Sequence, residues 1–304
     1  MTSTLDTKTS YSRLKLIILV CISLVFRIGS LFYIGGDVDV FLISWVQSIR
    51  FYGVESYFEQ MLTNYPYSYN FILYLISLIT VDALGINILV RIVSYVADIG
   101  LAWIVAKIFQ EEFKVDFKYA FIATYASVFV FINSSTGQCD SIWVSLGILS
   151  IYMLKHKRYA WSVFILGLSF GFKLQAICFI PVFLLYILLT KRLYLKYWIF
   201  GPIGWLTPQL PLMIFTGIPF KYLLSAYSGQ ADQCEKIAYN TYPTVFWILR
   251  LPYTYSLLIG VIGMGVSILL ARKFLTWERY EQYIYVVLGF FSLYTFIWIQ
   301  GSLE

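Results

Sequence analysis

The sequence is short of charge. Only 12% of its 304 residues are Asp, Glu, Lys or Arg, against 60% hydrophobic residues and a mean hydropathy of +0.76. A chain of that length cannot hide so much apolar surface in an aqueous core. It also lacks any polar stretch long enough to be a soluble domain, because apolar runs such as Leu16 to Ile34, Trp161 to Phe172 and Leu257 to Leu270 recur along its length. Its four cysteines have no metal-ligand spacing, which gives no support to a thiolate metal centre. The basic excess of +6 is scattered and forms no stripe, which speaks against nucleic acid as a partner. The first apolar run has no small-residue cleavage site after it and is expected to stay as a helix. What remains is one expected transmembrane domain over residues 1–304, in the all-α class and polytopic.

The scattered basic residues then become topology signals, because Lys and Arg in short loops stay on the cytoplasmic side. Five clusters fit one scheme with a cytoplasmic amino terminus: Lys8, Arg13, Lys15; Lys107, Lys114, Lys118; Lys155, Lys157, Arg158; Lys191, Arg192, Lys196; and Arg272, Lys273, Arg279. Fifteen of the 22 basic residues fall inside and four outside, and Arg27, Arg91 and Lys173 fall within hydrophobic segments. The scheme needs one apolar run between Gly36 and Lys107 not to span. The run from Ser68 to Val81 follows Pro66 and has the length of a re-entrant or interfacial segment. The expected fold is therefore about nine transmembrane helices, the short re-entrant segment, and an amphipathic helix over Ser44 to Phe58 on the outer surface. In that helix Trp45, Ile49 and Tyr52 recur at helical spacing.

Under this topology the unusual polar residues collect on the outer side. Asp37 and Asp39 follow helix one in GGDVDVFLISW; two carboxylates at that spacing can share a divalent cation, or one can act as general base while the other orients it. NYPYSY places Tyr65, Tyr67 and Tyr69 around Pro66. TGQCDSIW carries Gln138 and Asp140 at a turn, and GFKLQAICFIP carries Lys173 and Gln175 at the end of a hairpin. A long loop from Gly217 to Arg250 holds AYNTYPTVFW, with Tyr239 and Asn240. Arg91, Ser94 and Asp98 share a face of one apolar helix, and Arg27 lies about two turns below the outer end of helix one. Ionisable groups inside a bilayer mark a pathway or site, and an Arg to Asp pair between helices is the competing account. Acceptors, a base, amide and phenol donors and cations together suit a carbohydrate beside a phosphate.

These motifs resemble those of the GT-C superfamily of glycosyltransferases, which use polyprenyl-phosphate sugars, most closely its mannosyltransferase-like members. GDVDVFLISW is similar to that family's acidic first loop, NYPYSY to its YPP-type segment, GQCDSIW to GQxDxIW, GFKLQAICFIP to its G-x-x-K-x-Q-A segment, and AYNTYPTVFW to its AYNxW stretch. The resemblance implies a GT-C-like fold and a hexose, such as mannose, transferred outside the cytoplasm from lipid phosphate to a glycan, lipid or protein hydroxyl. It makes Asp37 or Asp39 the base or the ligand of a Mg2+ or Mn2+ ion, family members differing over metal use, and it involves no nucleotide cofactor. Lys173, then Arg91, then Arg27 would meet the donor phosphate, and Tyr65, Gln138, Asp140, Gln175, Tyr239 and Asn240 would hold sugar or acceptor. Tyr67 stands where a second Pro is common. The chain ends at IWIQGSLE near where members carry a further motif, which reads either as truncation or as an appended Leu303 and Glu304. Abundant Tyr, Phe and Ile with little Ala suggest an AT-rich genome of the bacterial kind, and with it a bacterial plasma membrane and undecaprenyl phosphate as the carrier. A transporter or flippase and a non-catalytic envelope-assembly partner are the competing classes; the sequence shows no internal repeat, and its polar groups gather at one surface instead of the midplane.

Overall fold

The computed structural model describes residues 3–60, 63, 65–190, 195–224 and 253–298. Among them every regular element is helical. In chain order these are α1 (Ser3–Phe32), a π-helical turn (Val38–Leu42), α2 (Ile43–Tyr52), α3 (Val54–Glu59), α4 (Tyr67–Ile79), α5 (Ala83–Phe113), α6 (Phe117–Tyr125), α7 (Val128–Ser135), α8 (Asp140–Lys155) and α9 (Tyr159–Phe172). A 3-10 turn (Leu174–Phe179), α10 (Ile180–Thr190), α11 (Phe200–Leu206), α12 (Leu210–Thr216), α13 (Tyr253–Phe274) and α14 (Trp277–Trp298) follow.

Local chemistry sets several of these boundaries. Asp82 starts α5 by accepting the Gly85 N–H at 2.9 Å, and Asp116 starts α6 by accepting the Lys118 N–H at 2.8 Å, each meeting a donor that a helix start leaves open. The sequence predicts one surface helix over Ser44 to Phe58; instead Gly53, at φ 83°, divides it into α2 and α3. A backbone there in the left-handed region favours glycine and stops a helix. Trp45, Val46 and Ile49 make the buried face of α2, whereas Tyr52 is exposed. Helix α4 has 13 residues and is about 20 Å long, too short to cross a bilayer core.

Among the described residues, two helices are long and apolar enough to cross a membrane, one over Leu14–Phe32 and one over Ala83–Phe113. Helices α6 and α7, bent by 44°, make a third if they form one broken span. The chain is thus a helical, membrane-associated protein.

The residues divide into two compact units, one of residues 1–57 with 72–148 and one of 58–71 with 149–304. In the first, α1 and α5 run antiparallel. Arg27 meets Asp98, Ser30 meets Tyr95 and Asn87 reaches Leu31, so rising numbers on one helix meet falling numbers on the other. That places the Lys15 end of α1 with the Lys107 and Lys114 end of α5, as the charge pattern requires. In the second unit, α9 and α11 approach backbone to backbone: a Cβ on Gly167 would lie 2.1 Å from the Gly201 carbonyl oxygen, and one on Gly204 would lie 2.0 Å from that of Phe164. Tyr280, fully buried, donates to the Val182 carbonyl at 2.7 Å and ties α14 to α10.

Candidate functional site

In the first unit the acidic loop and the TGQCD turn are docked on each other. The chain leaves α1, turns at Gly36 (φ 65°) and enters the π-helical turn, a rare conformation that is frequent at functional sites. Gly36 approaches the Thr136 carbonyl, at 3.0 Å from a notional Cβ, and Gly137 (φ 91°) approaches Val38, whose Cγ2 would lie 2.3 Å from a Cβ there. Gly137 has no room for a side chain, and at Gly36 the tight contact and the positive φ disfavour one. Across this contact the Gln138 amide donates to the Asp37 carboxylate. Two motifs a hundred residues apart in sequence therefore meet as neighbouring functional groups.

Asp37 and Asp39 are not equivalent. Asp37 is half-buried and held by Gln138; Val38 is fully buried; Asp39 is exposed. On helical backbone, residues two apart do not face each other. The two carboxylates therefore do not fit as a shared pair of ligands to one cation, and no group of three or more metal-ligating side chains occurs among the described residues. Asp140 is occupied internally, accepting from Trp143 Nε1 at 2.8 Å and Asn133 Nδ2 at 3.1 Å. Ser141, the next residue, donates to Asp98.

The two buried arginines of this unit have different partners. Arg27 pairs with Asp98 at 2.7 Å, donates to Ser23 and to the Tyr125 carbonyl, and lies 4.1 Å from the Tyr125 ring centroid. This is the interhelical Arg to Asp pair, formed by Arg27 and not by Arg91. Arg91, only 1% exposed, donates from Nε to Asn87 Oδ1 at 2.8 Å and from Nη2 to the Tyr33 and Gly35 carbonyls at 3.1 and 3.3 Å. None of these partners carries a formal charge. Arg91 also lines a 470 Å³ cavity whose walls are otherwise largely apolar, including Phe26 and Gly29 of α1 and Ile132 of α7, together with Ser30, Gly35 and Gly36 beside the Asp37 loop. Phe26 and Ile132 are about half exposed on the outer surface of the unit, so the cavity is continuous with a face of the kind that meets lipid.

The second unit holds the other described candidates. Lys173 is 7% exposed and lies in extended backbone between α9 and the 3-10 turn, its Nζ 5.6 Å from the Tyr65 ring centroid. Gln175 is buried two residues on. Tyr222, on the exposed segment after α12, donates to Glu59 at 2.6 Å, and that carboxylate raises the ionisation of the phenol above its ordinary range. Tyr239 and Asn240 lie outside the described residues.

Asn87 and Gln209 are structural partners outside the motifs, and Gly36, Gly137 and Ser141 lie inside them without having been singled out. Asn87 had a legible signal, since it stands one helical turn before Arg91 on the face that continues through Ser94 to Asp98. No family model matches this chain, and no curated protein and no solved structure matches it either.

Proposed function

We propose that this protein is a membrane-embedded glycosyltransferase of the GT-C kind, moving a hexose from a polyprenyl-phosphate donor to an acceptor hydroxyl on the extracytoplasmic side of a bacterial plasma membrane. The proposal includes about nine crossings with the amino terminus in the cytoplasm, and a glycan, lipid or protein as acceptor. The observation that carries it is Arg91. A guanidinium buried in an apolar setting without a counter-charge is costly, and this one, which pairs with no carboxylate among the described residues, lines an apolar cavity next to the loop that presents Asp37. A ligand with an anionic head and an apolar tail would supply both the missing charge and the contacts the cavity walls lack.

The reaction then needs few groups. Asp37, oriented by the Gln138 amide, accepts the proton of the acceptor hydroxyl; the acceptor oxygen bonds to the anomeric carbon as the bond from that carbon to the phosphate oxygen breaks. The electron pair stays on the departing polyprenyl phosphate, where Arg91 stabilises it. A single displacement inverts the anomeric configuration. Gln138 also donates toward the sugar, and Tyr65, Lys173, Gln175, Tyr239 and Asn240 keep the substrate contacts that the motif resemblance implies. Arg27 is assigned to structure.

The test is transfer from labelled polyprenyl-phosphate sugars by the full chain in lipid nanodiscs. Removing a general base lowers the rate by about 10²- to 10⁴-fold, the loss expected of Asp37→Asn, with Asp39→Asn remaining within a few-fold of the parent. Unchanged transfer by the Asp37 variant overturns the catalytic assignment. Binding of polyprenyl phosphate without any transfer favours the flippase class instead.

A further inference from the structure

Helix α9 stops at Phe172 in the middle of an apolar stretch, and the chain resumes after one extended residue, Lys173 (φ −156°, ψ 139°). Ending an α-helix strands its last carbonyls, and in apolar surroundings each stranded carbonyl needs another donor. The Gly171 carbonyl has two. Ser68 Oγ donates to it, and Gln209 Nε2 donates to it at 2.7 Å. The same Gln209 accepts the Ser68 backbone N–H on Oε1 at 3.0 Å and donates to the Trp205 carbonyl at 3.2 Å. It is fully buried at the α11 to α12 junction. One amide thus ties together the first turn of α4, the end of α9 and that junction.

Gly171 is shaped to the same contact. A Cβ there would lie 2.6 Å from Pro208 Cγ and 2.9 Å from the Trp205 carbonyl oxygen. The tied residues flank the candidate cation on both sides: Gly171 is two residues before Lys173, and Ser68 is three residues after Tyr65, the ring Lys173 approaches. The helix break at Lys173 is therefore held by dedicated partners, and an uninterrupted helix would have needed none of them.

We infer that Gln209, acting with Ser68, is a positioning residue: it holds α9 broken at Gly171 so that the Lys173 ammonium stays over Tyr65, ready for an anionic substrate group. The inference rests on the assignment of Lys173 as a substrate contact, and the two can fail separately. The positional part needs no substrate. In the full chain in nanodiscs, the rate of Lys173 acetylation by acetic anhydride is read by mass spectrometry against that of exposed Lys196. Gln209→Leu should raise the Lys173 rate about tenfold relative to Lys196, the scale of losing a buried hydrogen bond, at an unchanged rate for Lys196. Gln209→Glu keeps the acceptor for the Ser68 N–H and loses the donor to Gly171, and should fall between. If Gln209→Leu does not fold, Ser68→Ala removes one donor to the same carbonyl and should still raise the ratio about threefold. An unchanged Lys173 rate in a folded variant overturns the clamp.

The substrate part is read by transfer. Lys173→Met should lower kcat/KM, and Gln209→Leu added to it should lower it little further, because residues acting through one group do not add. Full additivity overturns action through Lys173. Unchanged transfer by Lys173→Met alone overturns the substrate assignment while leaving the acetylation result to stand or fall by itself.

Discussion

Arg27 and Arg91 are almost equally hidden from solvent, at 3% and 1% exposed, and both lie in the first unit, but they are kept there by different means. Arg27 has a carboxylate, a hydroxyl, a carbonyl and an aromatic face around it; its charge is paired within the protein, although its buried Nε has no hydrogen-bond partner among the described residues. Arg91 has an amide oxygen and two carbonyls, and a cavity beside it. The difference teaches that burial alone does not mark a functional charge in a membrane protein. What sets Arg91 apart among the described residues is a set of uncharged partners together with a cavity beside them.

That contrast can be broken at either arginine. The largest effect is expected from Asp98→Ala, which strands Arg27: removing one partner of a buried ion pair costs about 3–5 kcal/mol, to be seen as a lower thermal midpoint in detergent, whereas Arg91→Met should leave the midpoint nearly unchanged. The paired replacement Arg27→Met with Asp98→Leu should restore the midpoint and keep transfer within a few-fold, since an apolar pair can stand in for a buried ion pair. Next is Arg91→Met read by transfer, where losing a hydrogen bond to a charged group costs about 1.5–3 kcal/mol, or roughly 10- to 100-fold in kcat/KM. Gly137→Ala should cost about 1–3 kcal/mol of stability by forcing Val38 away and straining a positive φ, with transfer falling as Gln138 loses Asp37. The smallest is Ser141→Ala, about 1 kcal/mol from one hydrogen bond to Asp98, with no change in transfer. A Ser141 variant that loses transfer would mean the Arg27 and Asp98 pair belongs to the site after all.

Much of this was legible in the sequence, and the illegible part has physical causes. Hydropathy alone announces a helical membrane protein, and the charge pattern anticipates that the ends of α1 and α5 carrying Lys15 and Lys107 lie together. The meeting of GGDVDV with TGQCD was expected only as membership of one surface; the contact itself depends on two glycines with positive φ, which pattern does not specify. Which arginine takes Asp98 could not be read either. Arg91 shares a helix face with Asp98 at seven residues, but Arg27 reaches it across the α1 to α5 packing, and register between helices is a tertiary matter. Gln209 stands in an apolar stretch near two prolines with no motif around it, and only the break in α9 explains why a buried amide is needed there. Broken elements also leave several apolar stretches of the described residues in short helices. At 14 residues α9 is about 21 Å long, and α11 and α12 have seven residues each, all below the length that spans a bilayer core unaided.

The most direct measurement is the affinity of a short-chain polyprenyl phosphate for the full chain in nanodiscs, compared between the parent, Arg91→Met and the Arg27→Met, Asp98→Leu pair. The contrast between the two arginines predicts binding weakened by about tenfold or more for the Arg91 variant and unchanged for the pair. Equal binding by the parent and the Arg91 variant would contradict it.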